Sequence, residues 1–288
     1  GLIVLDFPTP WAANADEYLE KGMSLFDDLR HVELVTATLA PHAPYTVSDD
    51  PLEKILILSD ELDLPVHIHL HETTNEIEHS LQNYGKRPIA RLQDLNLLGP
   101  NLLAVHLTQV EDEEIDLLAE HGVSAVHCPQ SNMKLASGYC PLNKRQDKGM
   151  IVGIGTDGAA SNNDLDMMDE MRSAALLAKA VSNNPQNLPA HKALEMATLG
   201  GARALGLAEV TGSLEANKWA DMTAIDLSHP SCLPVYDPIS QVVYAASRQQ
   251  VSDVWVAGNQ LVENHQLTKI NIDDCLRRAA GWQQKINS

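Results

Sequence analysis

The feature that most constrains the fold is a regular alternation of short apolar runs with longer amphipathic segments. Six runs rich in β-branched residues occur at positions 2–7, 32–41, 65–72, 101–108, 122–129 and 149–157. Helix-like stretches such as 49–63, 110–121 and 163–181 lie between them. Near-continuous apolar strands that alternate with helices are typical of a parallel β-sheet covered on both faces. The sequence therefore predicts an α/β fold, either a barrel or an open, doubly wound sheet.

The ends of the apolar runs favour the barrel. Side chains that can bind a metal or transfer a proton lie at the ends of five of the runs: His42, His69, Glu72, His106, His127 and Asp157. In a (β/α)8 barrel the C-terminal ends of all strands meet at one mouth, where the site is built. The glycine-rich turn of a dinucleotide-binding open sheet is absent after the early runs. We therefore predict a TIM-like (β/α)8 barrel over residues 1–206.

The predicted barrel is short of strands. Six apolar runs are present, whereas a closed barrel of this type has eight, so we expect about strands 3 to 8 here. Open strand edges invite pairing with another chain, and we expect a complementing N-terminal segment or a homo-oligomer. The alternative is that two strands within 13–30 or 129–148 escape recognition.

The sequence pattern changes after residue 206, where the alternation of apolar runs and helix-like segments ends. Short strand candidates with turn residues between them follow, and Gly258-Asn259 is a hairpin signal. We predict a small β-sandwich portion over 207–270. An amphipathic pattern over 272–286 predicts a C-terminal helix within 271–288.

Three histidines in the segment "PVHIHLHET" are the first candidates for chemistry. His67, His69 and His71 alternate with apolar residues, so on a strand they share one face. Neutral imidazole is a common ligand of zinc or iron. The alternative is a set of interior histidines that only hydrogen-bond to one another. Glu72 follows directly and, with other strand-end residues, weakens that alternative.

Two further strand ends supply groups of the same kind. His106 closes "LLAVH", although a histidine satisfied within the core explains it equally well alone. For His127, a role in lining the pocket and a purely structural role are both open. Asp157 follows "IVGIGT", and a carboxylate at the tip of a buried strand is costly unless a metal or partner holds it. The alternative interpretation is that Asp157 caps the helix or turn that follows. Together these groups form the inventory of a mononuclear metal hydrolase.

Charge and cysteine usage exclude several classes of partner. The formal net charge is −19 and the sequence pI is about 4.9, so a nucleic-acid backbone is not expected as a partner. The sequence contains no apolar run long enough to span a membrane. Four cysteines without CxxC spacing fit a reducing cytoplasm.

Five motifs follow one another along the chain: "APHAPYTVS" (40–48), "HLHET" (69–73), "VHLT" (105–108), "CPQSNMKLASG" (128–138) and "GTDGAASNN" (155–163). In this order they resemble the amidohydrolase superfamily, and within it the methylthioadenosine/S-adenosylhomocysteine deaminases and the related triazine-hydrolase-like group. The C-terminal "GSLEANKWADMTAIDL" and "VWVAGNQLV" resemble the small β-sandwich of that group. The resemblance covers essentially the whole chain.

The resemblance implies a role for each matching residue. His69 and Asp157 match metal ligands, and Asp157 also accepts a proton from the attacking water. His106 matches the histidine that orients this water and is a further candidate ligand. Glu72 matches the glutamate that carries a proton to the substrate ring. One divalent metal ion is implied, with zinc expected first and iron or manganese as alternatives.

Two other residues match substrate contacts of the family. His42 corresponds to a residue that touches the purine, and Ser161 to one that lines the pocket. With Glu72 they form the implied substrate site. The implied reaction is hydrolytic removal of the 6-amino group of an adenosine-type nucleoside by metal-activated water, with loss of ammonia.

One departure from the family pattern leaves alternatives open. The family carries an H-x-H ligand pair on its first strand, and the present sequence begins after it. We therefore expect an N-terminally truncated member, whose activity alone is undecided. Alternative substrates are guanine, another aminopurine or a triazine. A non-catalytic, partner-binding fragment is the alternative from another class.

Overall fold

A parallel β-sheet forms the centre of the larger part of the molecule. The computed structural model describes residues 1–141 and 148–287. The strands of this sheet are β1 (Leu2–Val4), β2 (Leu39–Pro41), β3 (Val66–Leu70), β4 (Leu102–His106), β5 (Ser124–His127) and β6 (Val152–Ile154). The helices around it are α1 (Ala15–Leu29), α2 (Asp49–Leu62), α3 (Thr74–Tyr84), α4 (Pro88–Asp94), α5 (Asp112–Glu120), α6 (Pro129–Lys134), α7 (Met167–Ser182), α8 (Ala190–Glu195) and α9 (Gly201–Ala204), with a π-helical turn at Met196–Gly200.

The order of the strands confirms the barrel-type arrangement. The six strands pair in parallel in their chain order, β1 to β6, whereas a doubly wound sheet reverses its order at a switch point. β1 and β6 form the two edges of this sheet among the described residues. The strands are shorter than the apolar runs, and β2 uses only three residues of 32–41.

The alternative of unrecognised strands is wrong for the first interval. Residues 13–30 contain α1, whose N-cap Asn14 accepts a hydrogen bond from the Glu17 amide. In the second interval, Pro129 begins α6 and residues 142–147 lie outside the described part of the chain.

The core lies between the sheet and its helices. On β3 the apolar Val66, Ile68 and Leu70 are buried toward the helices, whereas His67 and His69 point to the opposite face and are partly exposed. This alternation is the one that the sequence predicts, because successive strand side chains point to opposite faces. The imidazoles of β3 therefore face the concave side of the sheet.

The C-terminal region forms a second sheet. β7 (Met222–Ile225), β8 (Val251–Val256), β9 (Asn259–Glu263) and β10 (Gln266–Leu267) pair antiparallel in the order β10-β9-β8-β7. The predicted hairpin is present, with its turn at Ala257-Gly258, where φ is positive at both residues. This separate antiparallel sheet lies within residues 207–270, where the small β-sandwich portion was predicted, and the bounds of that portion stay a prediction.

The remaining helices complete the C-terminal part. α10 (Pro238–Tyr244) packs against α7 and α8, and α11 (Ile272–Asn287) ends the described chain. The helix predicted over 272–286 is therefore present. In the part of the chain that the structure describes, no helix is both long and apolar enough to cross a membrane.

Candidate metal and catalytic site

His69 lies on the concave face of β3 with one ring nitrogen already engaged. Its Nδ1 is 2.6 Å from the carbonyl oxygen of His42, to which it donates. This hydrogen bond fixes the tautomer and leaves the Nε2 lone pair available to a metal, as for most histidine ligands. The ring of His42 lies beside it, with centroids 5.0 Å apart.

His106 approaches His69 because β3 and β4 pair in register. Val105 stands opposite His69 and His106 opposite Leu70. His106 has a φ of 72°, in the left-handed region, which turns its side chain back over the strand end. The rings of His69 and His106 stack with centroids 5.3 Å apart. His106 Nδ1 is 2.8 Å from Asn132 Oδ1, and its Nε2 is 3.8 Å from Glu72 Oε2.

Asp157 follows β6 and also has left-handed backbone, with a φ of 63°. Its Oδ2 accepts a hydrogen bond from the Ser131 hydroxyl at 2.6 Å, and its Oδ1 accepts from the Gly158 amide at 2.7 Å. Burial raises the pKa of this carboxyl, but these two bonds and the nearby His106 outweigh it and leave the pKa lowered. The group is therefore an anion at neutral pH, as a metal ligand must be.

The three residues meet the basic requirement of a metal site. Ligand atoms of His69, His106 and Asp157 all lie within 4.8 Å of one another. Two imidazoles and a carboxylate suit zinc, and equally iron or manganese. The donor set therefore fits a divalent cation held by His69 and Asp157, with His106 adjacent.

Burial favours the neutral form of three histidines in and around the site, His42, His67 and His106. Burial lowers the pKa of His42, and the neighbouring His69 lowers it further. Burial also lowers the pKa of His106, although Glu72 and Asn132 oppose the change. The pKa of His67 falls to about 4, from burial and then from His69. Neutral imidazoles keep the lone pairs that metal binding and water binding need.

His71 does not share this face, so the prediction that the three histidines lie on one side of the strand is wrong for this residue. Its φ of 52° takes it out of the strand, and its side chain is fully buried. Nδ1 donates to the Gln109 carbonyl at 3.2 Å, and Nε2 accepts from the Ile89 amide at 3.1 Å. The residue therefore ties β3 to the loop after β4 and to α4.

The other predicted residues divide between the site and its surroundings. His67 lies one position deeper on β3, 6.3 Å from His69 between ring centroids. His127 is fully buried at the end of β5, which favours its structural interpretation. Ser161 is on the Asp157 loop, where its amide donates to Gly158. Among described residues, no hydrogen bond joins the Ser161 side chain to the other site residues.

The sequence reasoning missed a supporting segment at 131–137. Each of three site residues makes one hydrogen bond with it: Ser131 donates to Asp157, Asn132 accepts from His106, and Ser137 donates to Glu72 at 3.4 Å. These residues lie within the motif "CPQSNMKLASG", which served above only to support the resemblance. Their polar side chains are buried, and that burial is not visible in the sequence.

A buried carboxylate at Glu170 links the first turn of α6 to the loop after β6. It is fully buried and accepts hydrogen bonds from the Gln130 amide and the Asn162 side chain. Burial raises its pKa to about 7, although both hydrogen bonds oppose the rise.

This elevated pKa predicts a pH-dependent cost to stability. Between the ordinary value of 4.5 and about 7, the folded state binds more protons at Glu170 than the unfolded state, so this group lowers stability as pH rises. We expect Glu170→Gln to remove up to about 3 kcal/mol of that loss. Urea unfolding of both proteins at about pH 5 and about pH 8 measures the difference. Exposed Glu209→Gln is the control, and an equal pH slope in parent and Glu170→Gln would contradict the prediction.

The fold and the donor set together define an α/β-barrel protein with a candidate divalent-metal site at the C-terminal ends of its strands. The chain belongs to the amidohydrolase family, whose profile matches residues 12–261.

Named relatives agree with this assignment. A 5-methylthioadenosine/S-adenosylhomocysteine deaminase of Teredinibacter turnerae is 48% identical over 285 residues, which are 99% of this chain and 64% of that protein. An adenosine deaminase from Xanthomonas campestris, crystallised with bound zinc, is 48% identical with a TM-score of 0.98, over 100% of this chain and 65% of the other. A triazine hydrolase variant is 25% identical with a TM-score of 0.88, over 92% and 59%. The chain thus spans just under two-thirds of the relatives it matches.

Proposed function

We propose that this chain carries the larger part of the active site of a metal-dependent hydrolytic deaminase that removes the 6-amino group of an adenosine-type nucleoside. One observation carries the proposal: ligand atoms of His69, His106 and Asp157 converge within 4.8 Å, with the Glu72 carboxylate 3.8 Å from His106 Nε2. A metal donor set beside a second, separate carboxylate suits hydrolysis that needs both activated water and proton transfer.

His69 and Asp157 would hold the metal, and zinc is our first choice because the Xanthomonas campestris relative was crystallised with it. When bound, the metal acts as a Lewis acid that lowers the pKa of a coordinated water. His106, kept neutral by burial, orients the attacking water through Nε2. Asp157 accepts one proton from this water.

Glu72 and His42 act on the substrate. Glu72 supplies a proton to the purine ring nitrogen next to carbon six, so that the ring can accept the incoming oxygen. Carbon six then bears a hydroxyl and the amino group. Asp157 passes its proton to the amino group, which leaves as ammonia, and the hydroxyl proton returns to Glu72 as the carbonyl forms. The remaining product is the 6-oxopurine. His42, whose ring lies 5.0 Å from that of His69, contacts the purine, and Ser161 lines the pocket on the Asp157 loop.

A substrate panel tests the proposal. Ammonia release from methylthioadenosine, S-adenosylhomocysteine, adenosine and guanine is measured with the chain alone and with any in-frame segment found upstream of Gly1 attached. We expect turnover of the adenosine-type compounds. Guanine as the sole good substrate would replace the proposed activity, and an inactive, metal-free protein in both forms would favour the partner-binding fragment.

The edges of the sheet and the cysteines bear on the partners and the location of the protein. The outer edges of β1 and β6 have no strand partner among the described residues, which supports completion of the sheet by a further segment or a second copy. Cys128, Cys140, Cys232 and Cys275 form no disulfide among the described residues. Reduced thiols support the cytoplasm as the place of action.

A further inference from the structure

The turn that carries Glu72 is under backbone strain. β3 ends at Leu70 and α3 begins at Thr74, so three residues make the connection. His71, which is not glycine, has a φ of 52° within it. A left-handed non-glycine residue costs about 1–3 kcal/mol and persists only where its surroundings enforce it.

A buried carboxylate from α3 holds the strained peptide groups. Glu76 Oε1 accepts a hydrogen bond from the His71 amide at 2.8 Å, and Oε2 accepts from the Glu72 amide at 2.7 Å. The Glu76 side chain is buried, with a relative exposure of 3%. Both carboxylate oxygens are thus used on two successive amides, one of which belongs to Glu72.

This arrangement departs from the ordinary start of a helix. Thr73 is the N-cap, and its hydroxyl accepts from the Glu76 amide at 3.2 Å, as in a capping box. In a capping box the glutamate side chain returns to the N-cap amide. Here the carboxylate instead reaches the two amides that precede the cap. Capping of α3 therefore does not by itself explain why the Glu76 carboxylate bonds to the His71 and Glu72 amides.

The opposite side of the same turn is held by the loop after β4. The His71 carbonyl accepts from the Thr108 and Gln109 amides at 3.0 and 2.9 Å. The Glu72 carbonyl accepts from the Thr108 hydroxyl at 2.5 Å. With its amide bonded to Glu76 and its carbonyl to Thr108, the main chain of Glu72 has a single orientation.

The direction of the Glu72 side chain follows from that main chain. Its carboxylate has one oxygen 3.8 Å from His106 Nε2 and the other 3.4 Å from the Ser137 hydroxyl. These are long contacts, which alone orient a carboxylate only weakly. The backbone clamp therefore carries most of the orientation.

We propose that Glu76 is a positioning residue for proton transfer, because its carboxylate clamps the amides of His71 and Glu72 and thereby aims the Glu72 carboxylate into the site. The inference rests on the proposed function, in which Glu72 moves the proton. Among the described residues, no hydrogen bond joins the Glu76 side chain to the candidate metal ligands His69 and Asp157.

A double-mutant cycle separates positioning from general support of the fold. Glu76→Gln keeps the side-chain volume but replaces one acceptor oxygen by an NH₂ group. We expect kcat for the adenosine-type substrate to fall about tenfold to hundredfold with little change in KM, because misplacement of a reacting group by about 1 Å costs that much. In a Glu72→Gln background the same substitution is expected to cost nothing further.

Two further measurements complete the test. Hydrogen exchange is expected to show faster exchange of the His71 and Glu72 amides in Glu76→Gln, with the His69 amide, bonded to the His42 carbonyl, unchanged. Zinc content is expected to equal that of the parent. Glu78→Gln, an exposed change of the same charge on α3, is the matched control and should leave every readout unchanged.

The outcomes are distinct. Equal loss of kcat in both backgrounds, or unchanged exchange at residues 71 and 72, would overturn the positioning role. If the parent turns over no substrate of the panel, the proposed function fails. Exchange at these two amides then still decides whether Glu76 holds the turn.

Discussion

Replacement of Glu72 by glutamine is expected to remove most of the deaminase turnover while the protein keeps its metal. Glutamine has the same shape but cannot deliver a proton at neutral pH, and the loss of a positioned general acid–base group costs about 10²–10⁴-fold in rate. The candidate metal donors are His69, His106 and Asp157, and the Glu72 side chain is not one of them. The substitution therefore separates proton transfer from metal binding.

The measurement is kcat for ammonia release together with zinc content on the same preparation. Glu113→Gln, an exposed change of equal charge on α5, serves as control and is expected to behave like the parent. Unchanged turnover in Glu72→Gln would refute its role as proton carrier. Loss of zinc together with turnover would instead place Glu72 in metal binding.

Replacement of Asp157 by asparagine is expected to weaken metal binding and to abolish turnover with it. Asparagine preserves the shape but removes the only negative charge of the donor set, and its neutral oxygen is a poorer ligand. Loss of a residue that merely supports a ligand costs about 10- to 100-fold in metal affinity, so loss of this ligand is expected to exceed about 100-fold.

Zinc affinity is measured by competition with a chelator of known affinity, on parent and variant. Asp164→Asn is the control, since Asp164 belongs to a separate acidic group with Asp166 and Asp169. A parent-like affinity in Asp157→Asn would remove Asp157 from the ligand set. A loss in Asp164→Asn would move the zinc to the other group.

The course of the β3 segment shows where sequence reasoning succeeds and where it ends. Period-two alternation correctly placed His67 and His69 on one face, opposite Val66 and Ile68. It failed at His71, because alternation holds only while the backbone stays extended. The positive φ of His71 depends on contacts with Glu76 and with the loop after β4, which local pattern does not contain.

The hydrogen bonds from residues 131–137 to the site could not be predicted from the sequence, because they also join distant positions of the chain. Ser137 and Glu72 are 65 positions apart, and Ser131 and Asp157 are 26 apart. Only the parallel order of β3 to β6 brings these loops to one edge of the sheet. His69, Glu72, His106 and Asp157 lie together at this edge, with the His42 ring beside His69. The place of Ser161 in the pocket and the boundaries at residues 206 and 270 stay predictions.

The sequence by itself determined the fold class and the chemical types in the site, because apolar periodicity encodes strands and helices and because strand ends of a parallel sheet must meet. Only the tertiary structure decided which histidines face the metal, which carboxylate aims Glu72 and which segment supports all three candidate catalytic groups. Those choices depend on strand register and on left-handed residues at strand ends, which are stabilised by contacts between distant parts of the chain.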